Sequence, residues 1–281
     1  MVFGFKTRPP HIAQNVIVGL DFDGTISLSF HLRVAYAKQH FGINLPISRV
    51  LSETWPRELG MDKYCEMALA VDNTMIAQHL LVPGCKETLA YLHNQGFRFA
   101  VVTKRGPLRN ASIKSGAVFG KGQGEGKFAR ISETSQDVAP VWFMKHHGLP
   151  IDYYHATNHD HDLMKKRDIC KKLHARAFLD DDLKILMGLR ETFTVPFLIK
   201  QPWNQEPPAQ DSGIITVPNW VEFGKKLIYI RGMHEAICYF SKWENAYYNL
   251  QKIAAFWMAN PGLCLEYLAE YKKAGAAGVP A

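Results

Sequence analysis

The 281-residue sequence predicts an α/β fold: an open, parallel, Rossmann-like sheet with helices on both faces, a small helical cap inserted after the first strand, and a C-terminal helical extension. Short apolar, β-branched runs alternate with helical patterns along most of the chain, which is the mark of a parallel sheet wrapped by crossover helices. The first such run, residues 15–20, leads directly into Asp21-Phe22-Asp23-Gly24-Thr25, so acidic side chains stand where a buried strand reaches the sheet edge. Residues 28–82, by contrast, interrupt the alternation.

Taken in chain order, residues 15–20 read as the first buried strand. Residues 28–82 hold no convincing strand but carry helical patterns at 30–40 and 63–80, and are expected to form the cap above the carboxyl edge of the sheet. A helix over 86–94, closed by Gly96, runs into a second strand at 97–102. Further strands are expected at 152–155, 177–179 and 194–199, alternating with helices around 138–147, 163–173 and 183–191. After Pro218 the chain is rich in aromatic residues at helical spacing and is expected to form two or three helices, with residues 274–281 disordered. The expected domains are therefore a core of residues 1–27 and 83–218, a cap of 28–82 and an extension of 219–281.

A composition of 47% apolar, 12% aromatic and 21% charged residues is that of a globular chain and excludes a disordered or fibrous one. The five cysteines show no Cys-x-x-Cys spacing and are odd in number, so reduced thiols are expected rather than a disulfide framework. Residues 1–14 have no apolar signal region, and no run approaches the roughly 20 apolar residues of a membrane span. A soluble, cytoplasmic protein without a membrane partner is expected. The net charge of +7 is concentrated: residues 98–130 hold eight basic residues and one acid, so the rest of the chain is neutral overall. Such a stretch fits either an anionic ligand or a solvated basic loop. Within it, residues 120–127 are glycine-rich but fail the register of a phosphate-binding loop.

Chemistry is concentrated at predicted strand ends. Residues two apart in extended chain share a face, which sends Asp21 and Asp23 toward a ligand and Phe22 toward the core, while Gly24 permits a sharp exit and close approach of a phosphate. Two acids capping a turn would explain this segment by itself. However, Thr103 ends the second strand, followed by Lys104 and Arg105; Lys165 and Lys166 open a helix; and that helix runs into Ala177-Phe-Leu-Asp-Asp-Asp182, another strand ending in carboxylates.

In this order of nucleophile, hydroxyl, lysine and acid pair, the sequence resembles the haloacid-dehalogenase-like (HAD) phosphatase superfamily over roughly residues 15–205. A finer resemblance is to the 5'(3')-deoxyribonucleotidase-type branch, whose members remove phosphate from nucleoside monophosphates. It is carried by Trp142-Phe-Met-Lys-His-His-Gly148, Lys166-Arg-Asp-Ile-Cys170, Phe178-Leu-Asp-Asp181 and Pro196-Phe-Leu-Ile-Lys-Gln-Pro-Trp-Asn204. The chain departs from that branch after Thr103, where Lys104-Arg105 and a glycine-containing insertion replace a more compact segment, and from Trp220 onward.

The resemblance implies hydrolysis of a phosphate monoester through an aspartyl-phosphate on Asp21. Asp23 would serve as general acid and then as general base. Thr103 would hydrogen-bond the transferring phosphoryl group, and Lys166, with Lys165 as the alternative, would neutralise charge on nucleophile and phosphate. A carboxylate approaching a phosphate dianion is repelled, which is why Mg2+ is expected between them. Asp21 and Asp181 are the expected ligands, with the backbone carbonyl of Asp23; Asp180 would act at second hand or through water, and Asp182 would cap the next helix. Gly24, Thr25, Lys104 and Arg105 are expected to meet the substrate, a small phosphorylated molecule and foremost a nucleotide. A nucleic-acid end-processing phosphatase and an interaction protein working through the C-terminal helices are the alternatives.

Other polar clusters read more simply. Residues 158–162, Asn-His-Asp-His-Asp, form a polar loop with Asp162 as helix cap, because neighbouring side chains alternate in direction and cannot all meet one ion. His146 and His147 read as a helix end. Arg33, Arg49, Trp55 and Arg57 of the cap are candidate substrate contacts, with core packing the simpler account of Trp55 and solvation that of the arginines.

Overall fold

The computed structural model describes residues 16–49, 55–103, 105, 129–130, 138–157, 162–189, 192 and 194–240. Lys104, the glycine-rich segment 120–127, residues 158–161 and the chain after 240 lie outside the described residues, as do the side chains of Arg49 and Lys165.

The chain enters the sheet through β1 (Val16–Leu20). A tight turn leads to a two-residue strand, β2 (Ser27–Leu28), and then the cap. The cap contains α1 (Phe30–Phe41), α2 (Trp55–Leu59) and α3 (Met61–Leu69), and the chain returns through β3 (Leu80–Leu81). There follow α4 (Cys85–Asn94), β4 (Phe97–Thr103), the short β5 (Ala129–Arg130), α5 (Ala139–His146) and β6 (Tyr153–Ala156). Next come α6 (Asp162–Leu173), β7 (Ala177–Asp180), α7 (Leu183–Gly188), β8 (Val195–Ile199), β9 (Ile215–Val217) and α8 (Trp220–Phe240).

The sheet runs β5-β6-β4-β1-β7-β8-β9, parallel throughout except for β5 at the edge. The fold class read from the sequence is the one observed. Strand side chains divide between two cores, as parallel strands buried on both faces require. On one face Val18, Leu20, Phe99, Val101 and Phe197 pack with α4, α5 and α8; on the other Val102, Phe178 and Leu198 pack with α6 and α7. Gly19 belongs to the second face for want of a side chain: a Cβ there would lie 2.3 Å from the Phe178 ring. A third cluster, including Phe30, Ala37, Trp55, Met67 and Val71, forms the cap interior and extends to Trp203 of the core.

Local signals hold at several helix ends. Gly42, at φ 70°, closes α1 in the left-handed conformation, its N–H reaching the Ala37 and Lys38 carbonyls. Asp182 caps α7 as expected, accepting from the Lys184 backbone N–H at 2.8 Å. Cys65, Cys85 and Cys170, the described cysteines with side chains, are free thiols. No helix among the described residues is long and apolar enough to cross a membrane.

The helix expected over 63–80 is broken. After α3 the chain takes a π-helical turn at Ala70–Thr74 and a 3-10 turn at Ile76–Gln78, then becomes β3. Strand β3 pairs antiparallel with β2, Ser27 opposite Leu81 and Leu28 opposite Leu80, so a non-local pairing at the stem of the cap overrides the local helical pattern. The aromatic C-terminal stretch also begins inside the core rather than beyond it: Trp220, Phe223, Leu227 and Ile230 of α8 are buried with the sheet.

Candidate active site

Strands β1 and β7 are adjacent and parallel, so their carboxyl ends emerge side by side. The ladder runs one step past β1, the Asp21 N–H donating to the Leu179 carbonyl at 2.9 Å. This brings Asp21, Asp180 and Asp181 together, with one carboxylate oxygen of each within 4.8 Å of the others. Lys166, from α6, is 2% exposed and places Nζ 2.7 Å from Asp21 Oδ1 and 2.8 Å from Asp180 Oδ2. The other Asp180 oxygen accepts from the Asp182 N–H at 2.9 Å, so both of its oxygens are engaged within the protein.

Among the described side chains, three carboxylates face one ammonium. Burial pushes the Asp21 carboxyl up to about 6 against the opposing pull of Lys166. Burial, with Asp180 and Asp21 as like-charged neighbours, raises Asp181 well above the usual carboxylate range. Burial also raises Asp180, although Lys166 opposes it. Lys166 itself is held protonated by Asp180 and Asp21, which outweigh its desolvation. Such a cluster is short of positive charge and presents hard oxygen donors, and both properties fit a divalent cation such as Mg2+.

Asp181 is fixed from beyond its own strand. The Trp203 indole Nε1–H donates to Asp181 Oδ2 at 2.7 Å, and Asn204 Nδ2 donates to the Asp181 carbonyl at 2.7 Å. Both residues lie in the loop after β8. The ring of Trp203 stands 4.1 Å from that of Phe30 on α1, so the same side chain touches the carboxylate cluster and the cap. Gly24, at φ +72°, is where Asp181 comes closest: a Cβ there would lie 2.3 Å from Asp181 Oδ2. The close approach that Gly24 permits is thus, in this structure, that of a carboxylate.

The turn after β1 is held from two sides, Gln201 Nε2 donating to the Gly24 carbonyl at 2.5 Å and Trp220 Nε1 to the Thr25 carbonyl at 2.8 Å. Thr25 is fully buried in the turn, and its hydroxyl has no hydrogen-bond partner among the described residues.

Asp23 stands apart from the cluster, about a quarter exposed. Its Oδ1 accepts from the Arg105 guanidinium, which also donates to Asp72 Oδ1 at 2.8 Å and to the Asp72 carbonyl at 3.0 Å. Asp72 Oδ2 in turn accepts from Arg33 at 2.6 Å. Burial pushes Asp23 up to about 6, with Arg105 pulling the other way. For Asp72 burial acts upward too, but the Arg105 and Arg33 guanidiniums outweigh it and hold the acid below its ordinary value. Arg105, expected to meet substrate, here joins Asp23 to the cap. Thr103 lies at the end of β4, 1% exposed, with Oγ1 accepting the Arg105 N–H at 3.2 Å.

No protein-family model matches the chain, and comparison with curated proteins finds no match. Solved structures do match. A predicted phosphatase from Clostridium acetobutylicum is 15% identical, with 76% of this chain and 98% of that one covered at a TM-score of 0.52. The two share a fold. A haloacid dehalogenase-like family hydrolase from Streptococcus pneumoniae is also similar, at 15% identity over 76% of this chain and 98% of that one, with a TM-score of 0.48.

The structure thus gathers Asp21, Asp180, Asp181 and Lys166 at one point, with Asp23, Gly24 and Thr103 at the same sheet edge. Asp72, Gln201, Trp203 and Asn204 were not singled out from the sequence as site residues. Trp203 and Asn204 did carry a signal, a tryptophan-asparagine pair directly after a core strand, whereas nothing local distinguishes Asp72 from a surface acid.

Proposed function

We propose that this chain is a Mg2+-dependent phosphomonoester hydrolase of the haloacid-dehalogenase type, working through an aspartyl-phosphate on Asp21. This reading is carried by the cluster of Asp21, Asp180 and Asp181 around the Lys166 ammonium, in which carboxylates outnumber cations among the described side chains where a phosphate dianion has to be received. The order of the four motifs and the likeness in fold support the same reading.

Asp21 and Asp181 would hold the metal, with the Asp23 carbonyl, and bound there it supplies charge neutralisation between nucleophile and phosphate. Asp180, with both oxygens engaged by Lys166 and the Asp182 N–H, acts by orienting that lysine. Lys166 holds Asp21 Oδ1 and so directs the other oxygen of Asp21 toward phosphorus. As the new P–O bond forms at Asp21, the ester P–O bond breaks and its electron pair passes to the leaving oxygen, which takes the Asp23 proton. Asp23, then a carboxylate, removes a proton from the water as its oxygen bonds to phosphorus; the P–O bond to Asp21 breaks, its electron pair returns to the Asp21 carboxylate, and inorganic phosphate is released. Thr103 donates to a phosphoryl oxygen.

A nucleoside monophosphate is the proposed substrate class, on the resemblance to the deoxyribonucleotidase-type branch. The basic stretch 98–130 favours the alternative of a nucleic-acid end, but its two members with described side chains are engaged elsewhere: Arg98 lies 3.6 Å from Asp152, and Arg105 is held by Asp23 and Asp72. Phosphate release from nucleotides, sugar phosphates and phosphorylated oligonucleotides, with and without Mg2+, tests the reading. The expected result is Mg2+-dependent turnover, highest on mononucleotides, that Asp21→Asn lowers on the order of a thousandfold or more. Turnover that survives Asp21→Asn overturns the nucleophile; oligonucleotide turnover that dominates and falls steeply with salt favours the alternative.

A further inference from the structure

Asp72 is an acid of the cap, its side chain 14% exposed, that no step above uses. It sits in the π-helical turn Ala70–Thr74, a backbone form that is rare and concentrated at functional sites. The turn is braced on both sides. Asn73 Nδ2 donates to the Leu69 carbonyl at 3.2 Å, and His79 Nε2 donates to the Val71 carbonyl at 3.0 Å. Since a carbonyl only accepts, that bond fixes the tautomer of neutral His79, and its Nδ1 accepts from Ser27 Oγ at 2.7 Å in the stem of the cap.

Arg105 is likewise fixed along its length. The Tyr154 hydroxyl donates to its carbonyl, Thr103 Oγ1 accepts from its N–H, and its guanidinium is held by three bonds to Asp72 and Ser29: to Asp72 Oδ1, to the Asp72 carbonyl and to Ser29 Oγ at 3.4 Å. The remaining hydrogen bond of that guanidinium goes to Asp23 Oδ1. Asp23 is anchored through Arg105, and Arg105 through Asp72.

We propose that Asp72 is a positioning residue for the reaction: it fixes the Arg105 guanidinium, which holds the Asp23 carboxyl where its proton reaches the leaving oxygen. The cap thereby contributes to departure of the leaving group as well as covering the site. This rests on the phosphohydrolase reading. In the step concerned the ester P–O bond breaks, its electron pair goes to the leaving oxygen, and the Asp23 proton joins that oxygen as Asp21 bonds to phosphorus. The need for that proton depends on the leaving group. An alkyl alkoxide is strongly basic and requires it, whereas p-nitrophenolate leaves readily without it.

The test compares full-length, Mg2+-loaded protein and its Asp72→Asn variant on an alkyl phosphate and on p-nitrophenyl phosphate. The ratio of kcat for the alkyl ester to kcat for the aryl ester is expected to fall about tenfold or more, with the change in kcat rather than KM, because general acid catalysis is worth about a hundredfold or more for poor leaving groups. In an Asp23→Asn background the same substitution is expected to leave the ratio where Asp23→Asn has put it. An equal loss on both esters, or a loss confined to KM, assigns Asp72 to cap packing and overturns the proposal. If Asp72→Asn fails to fold, Arg33→Gln, which removes the ion pair on Asp72 Oδ2 and leaves the Arg105 hydrogen bonds to Asp72 and Asp23 in place, is expected to lower the ratio in the same direction by less, and an unchanged ratio overturns the proposal. No turnover of either ester by the unaltered protein would instead remove the phosphohydrolase reading beneath it.

Discussion

At the carboxylate cluster Asp21, Asp180 and Asp181 share one cation, Lys166, whereas on the cap side Asp23 and Asp72 are matched by Arg105 and Arg33. Both groups are largely buried, and both are drawn from segments far apart in sequence. The difference lies in charge balance. The cap-side network is neutral as a set and holds its geometry with protein groups alone. Among the described side chains the cluster carries more negative charge than Lys166 compensates, and burial together with its like-charged neighbours raises Asp181 well above the usual carboxylate range. An unbalanced cluster suits a site that receives a cation; a balanced one suits a scaffold that orients a proton donor.

The sharpest way to break this comparison is to remove one cation from each side. Lys166→Ala removes the ammonium that pairs with buried Asp21 and Asp180 and is expected to cost about 3–5 kcal/mol in chemical denaturation, a loss partly recovered by added Mg2+. Arg33→Ala is expected to cost less, since Arg105 remains on Asp72. Equal losses, neither responsive to Mg2+, would contradict the contrast.

A smaller effect is expected at Trp203, which orients Asp181 through its indole N–H. Trp203→Phe keeps the ring and removes the donor. Calorimetric titration with Mg2+ is expected to show affinity weakened by about 10–100-fold, the usual consequence of losing a group that orients a metal ligand. Affinity equal to that of the unaltered protein would show that Asp181 needs no such support, or that the metal is held elsewhere.

A further expected effect is one of pH. Asp21 and Asp23 are raised from 3.8 to about 6, so the folded chain binds their protons more tightly than the unfolded one. Their stabilising contribution is therefore complete below about pH 4 and lost as pH rises through about 6, with a slope of at most roughly 1.4 kcal/mol per pH unit for each group. Denaturation of metal-free protein is expected to show this fall. Mg2+ is expected to flatten the part due to Asp21, whereas Asp23→Asn removes the part due to Asp23. A profile unaffected by either would place the titrating groups elsewhere.

The parts legible in the sequence share one property, a signal contained in a few neighbouring residues. β1 announces itself by apolar and β-branched residues, the acids after it by their two-residue spacing, and the cap of α7 by an aspartate just before its helix. Lys166 was legible only in company with the other motifs, and the structure places its ammonium between Asp21 and Asp180. What escaped depends on distant partners. The pattern over residues 63–80 is helical in isolation, but Leu80 and Leu81 pair with Leu28 and Ser27 across the whole cap. The Thr25 carbonyl is taken by Trp220, 195 residues away, a partner that no local pattern announces.

By itself the sequence determined the strand and helix alternation, the placing of acids at two strand ends and a lysine, Lys166 or Lys165, on the helix between them, because periodicity and strand direction act over short spans. Only the tertiary structure decided that Arg105 would face Asp23 across 82 residues and Asp72 across 33, and that Trp203 would reach back to Asp181. Ion pairs and hydrogen bonds of that kind are chosen by which segments the packed cores bring within about 3 Å. No local pattern of residues encodes that proximity.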